Sequence, residues 1–127
     1  MHRMVLAVLG IVLVLGMITL PPAPVAEAGS NGQQLSFKPI SGSIKWIRVY
    51  GRNQNGQAVS FYREFNPPIN ELRLSNWWWI GQGHVEYSIA PGNTYNGCYI
   101  DVPRNQSSNW VTVELNVKAS YPGCRQR

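Results

Sequence analysis

Acidic side chains and histidines are scarce in this chain: six Asp or Glu and two His among 127 residues. Beyond residue 28 only His84 and the carboxylates Glu64, Glu71, Glu86, Asp101 and Glu114 remain. Catalytic signatures are missing as well. There is no Gly-x-Ser-x-Gly elbow, no His-Glu-x-x-His pair and no phosphate-binding glycine loop. His84 and Glu86 lie two residues apart on one strand face, but a metal site needs three or four ligands, and a solvated face accounts for the pair. A glycosidase needs two carboxylates across a cleft, and no two are singled out by the pattern. No enzymatic activity, metal or cofactor is expected.

Three further absences bound the fold and the partner. No segment after residue 36 shows a 3.6-residue hydrophobic period, which argues against a helical domain. No internal repeat occurs. The basic residues form no run, so the electrostatic stripe of a nucleic-acid-binding surface is lacking and no nucleic acid partner is expected. Cysteine is limited to Cys98 and Cys124, and neither has a Cys-x-x-Cys partner. An even count in an oxidising compartment reads as one disulfide. Closing this loop should stabilise the fold by about 3 kcal/mol on the chain-entropy model, a useful supplement where a small domain has a marginal core.

The N-terminus supplies the compartment. His2 and Arg3 precede an apolar run from Met4 to Leu20, then Pro21, Pro22 and Pro24, then Ala26-Glu27-Ala28. This is the layout of a secretory signal, with cleavage expected after Ala28. The alternative is retention as a membrane anchor, for which the run is short against the roughly 20 residues of a spanning helix. Removing residues 1–28 takes away Arg3 and Glu27 and leaves the net charge at +5. A cationic secreted protein favours anionic surfaces such as cell-wall polymers, acidic glycans and lipid headgroups. About 99 residues remain, enough for one domain. The expected organisation is a signal peptide at 1–28, a flexible polar leader at 29–36 (GSNGQQLS) and a single domain at 37–127.

What is present is period-two alternation punctuated by Gly, Pro, Asn and Ser. It predicts an all-β fold after the N-terminal signal helix: a small antiparallel β-sandwich, or a partly open barrel, of about six to seven strands. In residues 109–119, Val111, Val113, Leu115 and Val117 alternate with Trp110, Thr112, Glu114 and Asn116, so Trp110 falls on the wet side. Residues 43–65 form a hairpin around Asn55-Gly56. A two-residue turn would set Arg48 opposite Arg63, an unfavourable like-charge pair. A three-residue loop, Gln54-Asn55-Gly56, pairs Val49 with Phe61 and Arg48 with Tyr62. It puts Ile47, Val49, Val59, Phe61 and Phe65 on the core face and Trp46, Arg48, Tyr50, Tyr62 and Glu64 on the other. Asn66-Pro67-Pro68 should break the chain, with a new strand from Ile69. Inward positions are Leu72 and Leu74, then Val85, Tyr87 and Ile89, then Cys98, Ile100 and Val102. Cys124 should clip a coil tail onto this sheet.

Between Leu74 and Val85 the inward parity changes from even to odd. An odd offset is required, at Ser75-Asn76, at Gly81-Gln82-Gly83, or at both. In an extended Trp77-Trp78-Trp79, the first and third rings share a face. A break at the glycines sends Trp78 inward; a turn at Ser75-Asn76 sends Trp77 and Trp79 inward and exposes Trp78.

Trp46, Tyr50, Tyr62, Tyr99 and Trp110 occupy wet-side positions, with Arg48 and Arg73 as charged donors. Planar rings stack on the apolar faces of sugars, and arginines bond hydroxyl or carboxylate oxygens. The expected function is therefore a secreted binding module for carbohydrate or an anionic envelope polymer. Its expected ligand-binding residues are Trp46, Arg48, Tyr50, Tyr62, Trp77, Trp78, Trp79 and Trp110. Two alternatives are a membrane-active, toxin-like protein whose partner is a membrane surface and an extracellular inhibitor presenting the 103–109 loop.

Overall fold

The structure is a computed structural model that describes residues 32–117 and 123–127. The expected signal peptide, and the leader up to residue 31, lie outside the described residues. The fold is all-β. Seven strands follow in order: β1 Gln33–Pro39, β2 Ser43–Asn53, β3 Ala58–Ile69, β4 Leu72–Ala90, β5 Thr94–Val102, β6 Trp110–Leu115 and β7 Cys124–Gln126.

The long β4 organises the molecule. Its first part, Leu72 to Trp79, pairs with β1. Its second part pairs with β2 on one edge and β5 on the other. Beyond β2 lies β3, and beyond β1 lie β6 and β7, so one seven-stranded sheet is shared by two layers. Inward side chains of both layers meet in a single core. Leu35, Phe37, Val111, Val113 and Leu115 come from one layer; Ile47, Val49, Val85, Tyr87 and Ile100 come from the other. Each such burial contributes about 1.5–3 kcal/mol. The β1–β6 ladder is parallel, the one parallel pair in an otherwise antiparallel arrangement among the described residues. The seam between β5 and β7 carries no ladder. It is bridged by the Cys98–Cys124 disulfide, with Cα atoms 5.8 Å apart. Gln126 adds two bonds, accepting from the Asp101 N–H (2.7 Å) and donating to the Asp101 carbonyl (2.6 Å). The tail is thus a short strand on β6, not coil.

The β2–β3 hairpin has the register that separates its faces: Val49 opposite Phe61 and Arg48 opposite Tyr62. Gly56, at φ 78°, holds the left-handed position of the three-residue loop. Three boundaries differ from expectation. The leader ends early, because Gln33 to Ser36 form the first half of β1 and are buried. Their polar groups have partners: Gln33 accepts from Gln106, Gln34 accepts the Asn76 N–H, and Ser36 donates to Glu71. The prolines do not end β3, which runs on to Ile69. From the Trp46–Glu64 pair to the Ile44–Ile69 pair, five steps of β3 match two of β2, so Pro67 and Pro68 occupy an irregularity on an edge strand, where a missing donor is tolerated. Finally, β5 begins at Thr94, four residues before Cys98, the first of its expected inward positions.

The parity change falls at Asn76. Leu35 pairs with Leu74 and Gln33 with Trp79, so five steps of β4 match two of β1, an odd excess that inverts the faces. Asn76 makes the inversion at φ 65°, a region Asn tolerates better than most residues. The glycine segment is also irregular, with Gly81 at φ 67°. There, four steps of β4 match two of β2, from Tyr50–His84 to Arg52–Ile80. That excess is even and leaves the faces as they were.

Candidate functional site

The outward face of β3, β2, the second part of β4 and β5 forms a grid that follows from the register. One row reads Glu64, Trp46, Ser88, Tyr95; the next Tyr62, Arg48, Glu86, Gly97; the third Ser60, Tyr50, His84, Tyr99. Alternation places all of these side chains on one surface, and no other described element lies over it.

Rings run along the top and bottom rows. Trp46 contacts Tyr62 at 6.3 Å and Tyr95 at 5.7 Å between centroids. Tyr50 stacks beside His84, and His84 meets Tyr99 at 4.8 Å. Tyr95 and Tyr99 are the most open, at 58% and 73% exposure. Charges occupy the middle. The Arg48 guanidinium lies 4.9 Å from the Tyr62 ring and 3.6 Å from Glu86. His84 Nδ1 is 3.8 Å from the other oxygen of Glu86. A hydrogen bond to Glu86, then burial, raises the Tyr95 phenol above its ordinary value; the same two causes, through Glu64, raise that of Tyr62. The Tyr62 hydroxyl donates to Glu64. Glu86 thus lies among Arg48, His84 and Tyr95 at the centre of the face. The surface offers ring faces, phenol oxygens and one shared carboxylate.

Of the residues expected from sequence, Trp46, Arg48, Tyr50 and Tyr62 come together here. Trp77, Trp78 and Trp79 lie elsewhere, at the tip of the β2–β3 hairpin. Trp77 and Trp79 share a face and stack at 6.0 Å, and Phe61 meets Trp77 edge-on. Trp79 is 2% exposed and belongs to the core, where its benzo ring approaches Gly51 so closely that a Cβ there would lie 3.1 Å from it. Trp77, although on the inward face, extends past the core and is 43% exposed. Trp78 is half-buried. With Asn53, Gln54 and Asn55, Trp77 and Trp78 line a cleft of about 250 Å³. Trp110 is on the other layer, under the Arg73 guanidinium at 4.2 Å. That contact crosses β1 and covers the polar side chains of Gln34 and Ser36.

Sequence reasoning missed Tyr95 as a member of the face. Thr94 and Asn96 flank it with turn-like composition, and its phase is visible only once the strand is extended back from Cys98. Among the described residues, no three His, Cys, Asp or Glu gather as a metal site, and no helix is long and apolar enough to cross a membrane. Compared with known proteins, the chain matches no family model, no curated protein and no solved structure.

Proposed function

We propose that this protein is a secreted carbohydrate-binding module and that the outward face of β3, β2, β4 and β5 is its binding surface. The observation that carries this reading is the gathering of Trp46, Tyr50, Tyr62, Tyr95 and Tyr99 on one uncovered sheet face. An exposed aromatic surface of this kind marks an interaction site. Ring faces take the C–H faces of pyranose rings, and the tyrosine hydroxyls and the arginine take the sugar hydroxyls. Opposed charges on the face, Arg48 against Glu64 and Glu86, favour a neutral saccharide there. The disulfide fits an oxidising compartment, in keeping with the export signal expected at residues 1–28. The membrane-active alternative draws less support. Trp77, the most exposed tryptophan, leans on Trp79 and Phe61 and does not stand out as a tip.

Retention on a panel of insoluble neutral polysaccharides tests the reading. Trp46→Ala and Tyr99→Ala should each weaken binding to the retained polymer by about tenfold or more, as expected for aromatic anchors of an interface. Unchanged retention for both variants overturns it.

A further inference from the structure

The positive charge of the chain and its aromatic face do not coincide. Among the described side chains, Lys38, Arg73, Arg125 and Arg127 stand on the outward surface of the second layer with Glu71 and Glu114. Lys38 is the lateral neighbour of Glu114, and Glu114 of Arg125. Arg127 stands two residues further along the chain, opposite Thr112, to which two backbone hydrogen bonds tie it. Three of these cations are engaged: Lys38 with Glu71 at 3.7 Å, Arg127 with Glu114 at 3.1 Å, and Arg73 over Trp110. Arg125 makes no ion pair among the described residues.

A groove of about 500 Å³ opens over this surface. Lys38, Arg125 and Arg127 surround Glu114 in it, and Pro39 with the 56% exposed Ile40 forms an apolar wall. A ligand of dense charge, such as a polyphosphate, would press an anion against Glu114. A chain with spaced single charges avoids that. Its carboxylates, one at the edge of each ring, would reach the cations on either side of Glu114, and the C–H face of a ring would lie towards Ile40. Arg125 and Arg127 are alternate residues, about 7 Å apart along the chain, and each guanidinium can take a carboxylate through two parallel bonds. We infer that this groove binds an acidic polysaccharide of the uronic-acid type, as a second site independent of the aromatic face.

Binding of the intact, disulfide-bonded protein to polygalacturonate at about 0.1 M salt is the test. The double variant Arg125→Gln/Arg127→Gln should bind about tenfold or more weakly, as expected for the loss of charge-assisted bonds. Lys38→Gln, on a different strand, should weaken binding in the same direction without touching β7. Lys45→Gln/Arg63→Gln, which removes the same charge from the other layer, and Trp46→Ala, which alters the aromatic face, should both stay within about twofold of the parent. Equal weakening by the two double variants would mean attraction to net charge alone and would overturn the inference. So would loss of binding in Trp46→Ala, tighter binding to polyphosphate or to phosphatidylglycerol vesicles than to polygalacturonate, or no retention of the parent protein.

Discussion

Tyr87 joins a buried ring to a polar tip. The side chain is fully enclosed. Its hydroxyl lies against the carbonyl oxygens of Asn116 and Gly123 and accepts the Asn116 N–H at 3.1 Å. It thereby ties β4 to the chain leaving β6 and to the residue entering β7. Burial raises the phenol above its ordinary value of 10.0, with the Asn116 backbone contact acting in the opposite direction. The folded state thus favours the neutral phenol. Its contribution is fully present below the unfolded pKa of about 10 and is lost as pH rises from there through the raised native value. Tyr87→Phe should cost about 1–3 kcal/mol at neutral pH, because buried backbone groups lose a partner. It should also make the alkaline loss of stability shallower. Urea denaturation of both proteins at about pH 8 and about pH 11 separates the two effects; a variant whose stability falls in parallel with the parent's would exclude Tyr87 as a source of the alkaline loss.

The phase change in β4 shows what a local pattern can and cannot reveal. Leu74 and Val85 require an odd offset between them, but Ser75-Asn76 and Gly81-Gln82-Gly83 satisfy local turn chemistry equally well. The pairing partners decide, and β1 and β2 are remote in sequence. Asn76, the one non-glycine residue at positive φ among the described residues, carries the inversion. Asn76→Gly should therefore leave stability within about 0.5 kcal/mol, whereas Asn76→Ala should cost about 1 kcal/mol and Asn76→Val more. Chemical denaturation midpoints measure this, and an alanine variant as stable as the asparagine parent would remove the conformational explanation. The hairpin register was legible because Arg48 and Arg63 repel in the wrong alignment, a contrast contained within residues 43–65. The buried half of β1 was not. Gln33, Gln34 and Ser36 read as solvent-facing, and their partners at Gln106, Asn76 and Glu71 are 35 to 73 residues away. The aromatic face was half legible for the same reason. Alternation assigned Trp46, Tyr50 and Tyr62 to the wet side, but it could not tell that β5 would dock beside β4 and bring Tyr95 and Tyr99 into the same surface, or that Trp110 would belong to the other layer.

At the scale of the molecule, the two layers share β4 along one seam and a covalent bridge along the other. The Cys98–Cys124 bond spans 26 residues of chain. β7 is three residues long and, among the described residues, pairs only with β6, so it draws little stability from its own ladder. Replacing both cysteines by alanine should cost about 3 kcal/mol overall, and the loss should be uneven. Amide exchange should accelerate most in β7 and the adjoining edge of β6, where opening is held by the bridge and by Gln126. The nine paired positions between β4 and β5 should keep most of their protection. The two faces then separate functionally. Arg125 and Arg127 are placed by β7, so affinity for an acidic polysaccharide should fall in the cysteine-free variant. Trp46, Tyr50 and Tyr62 stand on strands that the bridge does not touch, and β5, which carries Cys98 with Tyr95 and Tyr99, is held in register by its ladder to β4, so binding to a neutral polysaccharide should persist under conditions where the variant remains folded. Loss of both affinities in a variant with intact β2–β3 amide protection would show that the bridge organises the whole surface and not one seam.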